Sequence, residues 1–232
     1  MHRKLYQLFW LPLYRRWALR HIREEQHFTF QGLRLKVPPG VFHPGIFFSS
    51  PIFVGFLQQF DFQAKKVLDI GTGSGLLALV AARKGAVVTA LDILPQAVAT
   101  ALENARSNGL QVQALESDLL DQLPPQSFDF ILINPPYYPK KPQNLREHAF
   151  FAGENLEYFE KLFAQLPAYL NPRNAPEPSP NDTRIWLILS EDCALDRISE
   201  IAARNGFLLQ SVFEQRKWGE RFLILQADPT QL

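Results

Sequence analysis

The sequence predicts a doubly wound α/β fold on a seven-stranded, mostly parallel sheet, preceded by a short basic N-terminal extension. Two observations carry this prediction. From residue 65 onward, apolar runs of strand length alternate with helical segments, which calls for a parallel sheet covered on both faces. The first two helices are punctuated, one closed by Gly85, the next opened by Pro95 and closed by Gly109. Right-handed crossovers make such an arrangement doubly wound.

The elements follow in order. "MHRKLYQLFWLPLYRRWALRHIREEQH" (1–27) reads as one or two short helices broken near Pro12, with Leu5, Leu8, Phe9, Leu13 and Trp17 on one side and arginines on the other. "FTFQGLRLKV" alternates apolar and polar residues around Gly32, as a short hairpin does. These segments form the extension, residues 1–36, where eight lysines and arginines face two glutamates for a net charge of +6. The remainder, 37–232, is the predicted catalytic domain and carries −5. "PPGVFHPGIFFSSP" is a turn-rich connector. "KKVLDI" (65–70) is a short buried strand, and "AVVTALDI" (86–93), "QVQALESD" (111–118), "FDFILI" (128–133) and "RIWLILS" (184–190) are the strands that follow it. "LLALVAARKG", "PQAVATALENARSNG", "ENLEYFEKLFAQLPAYL" and "ALDRISEIAARNG" are the helices between and after them. "NPRNAPEPSPND" is a proline-rich loop with the composition of a mobile segment. "FLLQSVFEQ" and "RFLILQA" are two last strands joined by "RKWGE" as a hairpin.

Composition narrows the function classes. One cysteine, Cys193, excludes an internal disulfide and a cysteine-rich metal site and points to a reducing compartment, the cytoplasm. No apolar stretch is long enough to cross a membrane, and Arg15, Arg16 and Arg20 interrupt any signal-peptide pattern. His21, His27 and His43 lack metal-ligand spacing.

Ligands of doubly wound sheets bind beyond the C-terminal strand ends, at the point where the strand order reverses. Two motifs fall on that edge. "VLDIGTGSGLL" places Gly71, Gly73 and Gly75 between the first strand of the alternating sheet and its helix. Glycine permits the turn and a close ligand approach, and the helix N-terminus adds unpaired N–H donors. The dinucleotide fingerprint requires glycine where Leu76 stands, so the spacing is not that of a nicotinamide enzyme. By itself the loop also fits a plain tight turn. Three acids follow on successive strand ends. Asp69 lies at the lip; Asp92 stands where a carboxylate can accept both hydroxyls of a ribose; Asp118, in "ESD", can accept from an adenine amino group or serve as a cap or solvated turn acid.

The second motif is "ILINPPYYPKK" (131–141). Pro135 and Pro136 cannot donate to a sheet ladder, so the strand ends there, and they hold Asn134 and Tyr137 in a stiff frame. A lone stiff loop with a packed tyrosine is the bland reading. The chemical one begins with the nucleophile: an amide or aryl amine has a delocalised lone pair. Acceptors around its N–H groups, the Asn134 side-chain oxygen and the Pro135 carbonyl, hold the nitrogen in line and favour the positive charge growing on it. Tyr137 supplies a flat face for a planar acceptor.

In their order, "VLDIGTGSG", Asp92, "ESD" and "NPPYYP" resemble the class I S-adenosylmethionine-dependent methyltransferases, and "NPPY" resembles their amino-methylating branch, which acts on adenine, cytosine or the glutamine amide. "VFHPGIFFSSP" and "FFAGENLEYFEKLF" resemble the flanking segments of HemK/PrmC-like proteins. The resemblance implies a Rossmann-like fold and S-adenosylmethionine held by Asp69, Gly71, Gly73, Gly75 and Asp92, with Asp118 near its adenine and Ser50 in the covering segment. It implies that Asn134 and Pro135 contact the target amino group and that Tyr137 packs on it. The acceptor it implies is a protein glutamine, with an RNA or DNA base amino group as the alternative. HemK/PrmC proteins carry a sizeable helical domain ahead of the catalytic one, where this chain has the extension. Trp10, Tyr14 and Trp17 among arginines suit RNA phosphates and bases, or an amphipathic helix packed on the domain with a solvated basic side. A nicotinamide-dependent oxidoreductase and a non-catalytic binding module are the readings from other classes.

Overall fold

The structure is a computed structural model that describes residues 24–171, 182–217 and 219–230. The expected helices of 1–27 lie outside the described residues up to residue 23, and their last two residues, Gln26 and His27, are strand instead, paired with Val37 and Lys36; most of the proline-rich loop also lies outside the described residues.

β1 (Gln26–Phe30) and β2 (Leu33–Val37) form the expected antiparallel hairpin. A seven-stranded sheet follows, built from β3 (Lys66–Ile70), β4 (Val87–Asp92), β5 (Gln113–Glu116), β6 (Phe130–Ile133), β7 (Arg184–Ser190), β8 (Phe207–Lys217) and β9 (Glu220–Pro229). The order is β5-β4-β3-β6-β7-β9-β8. The first five strands are mutually parallel; β9 runs antiparallel to β7 and β8. The final pair is the hairpin read from "RKWGE". The chain walks outward from β3 to β5, returns to β6 and walks the other way. The switch point therefore lies between β3 and β6.

Side chains of each strand alternate between two cores. On one face Val67, Val88, Ala90, Phe130, Leu132 and Trp186 pack with α1 (Ser49–Leu57), α2 (Leu76–Arg83) and α3 (Pro95–Ser107). On the other, Leu68, Ile70, Leu91, Ile131, Ile133 and Leu187 pack with α4 (Glu157–Gln165) and α5 (Leu195–Arg204). Leu33, Leu35 and Val37 of the hairpin join the first core. Asn104 sews the hairpin to the sheet: buried in α3, it accepts from Lys36 N and donates to the carbonyls of Lys36 and Ser74.

Three elements depart from expectation. The connector ends in α1, which the sequence hides. Seven of its nine residues are buried, so it has no polar face to show a helical period, and Phe48 at its N-cap offers no capping side chain. Pro51 sits in its first turn, where the missing N–H costs nothing. β5 spans four residues, shorter than 111–118. The helix after "NPPY" stops at Gln165 and tightens into a 3₁₀ turn at Leu166–Tyr169, because Pro167 cannot donate to an α-helical carbonyl.

Candidate active site

Register places the two motifs together. Ile70 of β3 pairs with Ile133 of β6, so Gly71 and Asn134 leave the sheet side by side on adjacent strands, about 4.8 Å apart at that spacing. Leu91 of β4 is the partner of Ile70 on the other side, so Asp92 emerges next in line. One cleft is lined by Gly71, Gly73, Asp92, Asp118, Asn134 and Ser50. The loop after β3, the end of β4, the turn after β5 and the turn after β6 thus meet at the switch point.

The glycine loop is held from below. Gly71 N and Thr72 N donate to the Leu91 carbonyl at 2.8 and 2.9 Å. Gly73 N donates to Asp92 Oδ2 at 2.9 Å, and Leu94 N donates to Asp92 Oδ1 at 2.9 Å. Asp92 therefore ties the loop to α3 while still lining the cleft. Burial pushes its carboxyl above the usual carboxylate range, against the pull of those amides. At Gly71 a Cβ would meet no atom within 4 Å, so that space belongs to the cleft.

Four predicted site residues stand off the cleft wall. Asp69 sits beneath the loop, buried, with Oδ2 accepting from Thr72 Oγ1 (2.7 Å) and Ala78 N (3.2 Å). Strand alternation explains this: Asp69 points to the first face, under α2, while its neighbour Ile70 reaches the cleft. Burial pushes its pKa up to about 7. Gly75 caps α2, and a Cβ there would come within 3.1 Å of the Ala101 backbone; its role is to let α2 and α3 approach. Pro135 is buried behind Asn134. The Tyr137 ring packs against the second core and beside Tyr138, with ring centroids 4.9 Å apart, rather than standing in the cleft. That burial raises its phenol pKa strongly, so it stays neutral.

Asp118 lines the cleft, but its Oδ2 already takes Lys161 Nζ of α4 at 2.6 Å, which leaves Oδ1 for a ligand. Sequence reasoning missed several wall residues. Ser117 and Leu119 flank Asp118, and Phe42 and His148 stand at the mouth. Phe42 stacks on Phe47 at 4.6 Å, and Phe47 meets Phe150 at 5.4 Å, so the segment before α1 touches the one after "NPPY". Tyr158, in the first turn of α4, also lines the cleft, and its buried hydroxyl has no partner among the described residues. The doublet "EYF" holds no spacing that marks it from sequence. Asp69 Oδ1 is likewise buried without a partner. A loop of open backbone, the carboxylates of Asp92 and Asp118 and the unpartnered Tyr158 hydroxyl fit a cationic nucleoside with hydroxyls to donate.

Comparison with known proteins agrees. The methyltransferase small domain family matches residues 32–156. A Methanocaldococcus jannaschii protein named as an N5-glutamine methyltransferase is 35% identical over 60% of this chain and 72% of its own. A tRNA1(Val) (adenine(37)-N6)-methyltransferase of Pedobacter heparinus is 33% identical over 55% of this chain and 53% of its own. A methyltransferase structure from Pyrococcus furiosus superimposes with a TM-score of 0.63 over 93% of this chain and 96% of that one, at 20% identity. The chain spans about half the length of several curated relatives it matches. It belongs to the methyltransferase small domain family, and with it to the class I S-adenosylmethionine-dependent methyltransferases.

Proposed function

We propose that this protein methylates a planar amide or amino nitrogen, with the side-chain amide of a protein glutamine as its acceptor. The observation that carries this is the register of β3 and β6, which sets the glycine loop beside Asn134 in one cleft. S-adenosylmethionine, when bound, supplies a methyl group on an electron-poor sulfur. Gly71, Gly73, Asp92 and Asp118 would hold it. Asn134 lines the same cleft with an Oδ1 that takes no donor from any described residue, so it is ready to accept from the N–H of an incoming amide. The acceptor nitrogen then keeps its lone pair directed at the methyl, and the oxygen beside it stabilises the charge that develops there. Pro135 and Pro136 stiffen the backbone that follows Asn134, and β6 holds it from the other side; positioning of this kind is worth roughly 7–11 kcal/mol in favourable cases.

Glutamine is favoured over a base because the relative named for it matches a larger share of both chains. A base amino group on RNA is the second reading, supported by the tRNA adenine methyltransferase among the relatives. Residues 1–36 are proposed as an extension that helps select the acceptor, and the single cysteine accords with a cytoplasmic setting. The test is transfer of tritiated methyl from S-adenosylmethionine into a cell lysate, followed by protease or ribonuclease. Label released by protease and recovered as methylglutamine is expected. Label released by ribonuclease establishes the second reading. An Asn134→Ala variant that transfers label as the wild type does would refute both, since loss of such a group costs about 10²–10³ in rate.

A further inference from the structure

The Asn134 side chain has two chemically opposite ends: Oδ1 accepts hydrogen bonds and Nδ2 donates them. A target amide or amine brings N–H donors, so Oδ1 alone suits it. A half-turn of the terminal torsion exchanges the two ends with little change in shape. A partner that accepts from Nδ2 favours the orientation in which Oδ1 faces the acceptor, and a serine hydroxyl oxygen is able to be that partner.

Resting on the reading that Asn134 receives the acceptor nitrogen, we propose that Ser50 is a positioning residue for methyl transfer, its hydroxyl oxygen holding the Asn134 amide with Oδ1 toward the cleft. Asn134 Nδ2 donates to Ser50 Oγ at 3.0 Å, across 84 residues of chain. Both residues line the cleft. Ser50 is 5% exposed, and a buried hydroxyl without a partner is costly; Asn134 supplies that partner. The hydroxyl is also well anchored. Ser50 is the second residue of α1, whose Ile52, Phe53, Val54, Phe56 and Leu57 are locked in the first core. The amide is therefore clamped between a rigid helix on one side and the Pro135–Pro136 backbone on the other, which is how a site holds a contact to within a fraction of an ångström. The bond involves no titrating group, so the clamp works at any pH where the protein folds.

The test compares Ser50→Ala, Asn134→Ala and the double variant. Three readings are taken: the initial rate of tritiated methyl incorporation into a lysate protein fraction at saturating S-adenosylmethionine, the cofactor Kd by calorimetry, and the side-chain NH₂ resonances of Asn134 in ¹⁵N-labelled protein. Ser50→Ala is expected to lower the rate about 2- to 13-fold, the worth of one hydrogen bond, with the cofactor Kd unchanged. The Asn134 NH₂ pair should lose its protection from solvent exchange even with no cofactor or acceptor present. In the Asn134→Ala background, Ser50→Ala should add nothing. Ser50→Thr keeps the hydroxyl and should recover most of the rate. A wild-type rate in Ser50→Ala beside a large loss in Asn134→Ala overturns the clamp and leaves the proposed function standing. So does an additive loss in the double variant, or a cofactor Kd that weakens in step with the rate. A wild-type rate in Asn134→Ala sinks the proposed function, and the clamp with it.

Discussion

Two glycines of one loop should fail in different ways when each gains a methyl group. Gly75 has φ +88° and Gly71 φ +74°, so alanine at either adopts a left-handed conformation that costs about 1–2 kcal/mol. The surroundings differ. At position 75 the new Cβ lies 2.9 Å from Leu79 Cδ1, the tip of a side chain that can turn, and 3.1 Å from both Cα and Cβ of Ala101, which belong to the backbone of α3 and its first side-chain atom. Forcing α2 and α3 apart adds overpacking of about 1–3 kcal/mol. Together Gly75→Ala should cost about 2–5 kcal/mol. A domain of this size loses about 2–4 °C per kcal/mol, so its melting midpoint should fall by roughly 5–20 °C. At position 71 the Cβ meets nothing within 4 Å, so Gly71→Ala should lower the midpoint by only about 2–8 °C. Its methyl group instead occupies the cleft, and affinity for S-adenosylmethionine should fall at least about ten-fold for a loss of 1.4 kcal/mol. Differential scanning calorimetry reads the first effect and isothermal titration the second. A Gly75→Ala protein that melts as the wild type does, or a Gly71→Ala protein that binds the cofactor equally well, refutes this division of the loop.

Asp92→Ala removes a carboxylate that accepts from Gly73 N and Leu94 N; cofactor affinity by calorimetry should weaken about 10- to 100-fold, since a hydrogen bond to a charged group is worth about 1.5–3 kcal/mol. Asp69 gives a pH signature. Its folded pKa, raised to about 7 chiefly by burial, exceeds the ordinary aspartate value of 3.8. The folded state therefore holds a proton that the unfolded state has lost between pH 4 and 7, and stability falls as pH rises through that window, by up to about 4 kcal/mol. Asp69→Asn should flatten this fall, raising the melting midpoint relative to wild type more at pH 8 than at pH 5; an unchanged pH slope refutes the assignment. Tyr158→Phe deletes a buried hydroxyl that no described residue satisfies, so the ligand-free protein should melt higher, by the equivalent of about 1–3 kcal/mol. A lower midpoint would mean that the hydroxyl has a partner in solution.

The sheet was legible because β6, β7 and β9 carry continuous apolar runs and β3 and β4 runs broken by one polar residue, and because glycine and proline mark the helix ends. Gly71 and Asn134 stand at the two loops where such a sheet binds, and the register of Ile70 with Ile133 follows from pairing those runs. What escaped was whatever lacks a period or a motif. α1 is apolar on nearly every side, so no hydrophobic stripe shows in "SSPIFVGFL". The placement of Asp69 under α2 follows from strand alternation and was open to deduction, since Val67 and Asp69 share a face. The motif implies that Tyr137 packs on the acceptor, yet its ring lies against the second core beside Tyr138. Asn104 joins elements distant in the chain, and only a folded molecule brings its partners within reach.

The order of the motifs along the chain follows from the topology. After β3 the chain runs outward through α2, β4 and α3 to β5, and each loop at the C-terminal edge turns away from β6. After β6 it runs the other way. No crossover connection then covers the gap between the loops that follow β3 and β6, and a cleft must open there whatever fills it. From its strand ends the first half of the sheet furnishes that cleft at β3, β4 and β5, with Gly71, Asp92 and Asp118, and Phe42 and Ser50 join them from the segment before β3. The second half contributes first at the end of β6, which is Asn134. Each partner of these residues then arrives from a different face of the sheet: Ser50 from α1 on the first core, Lys161 from α4 on the second. The proposed cofactor side in the first half and the proposed acceptor side begun by the second would thus be one consequence of a single reversal in strand order, and the short β3–β6 spacing would let the two sides act on one bond.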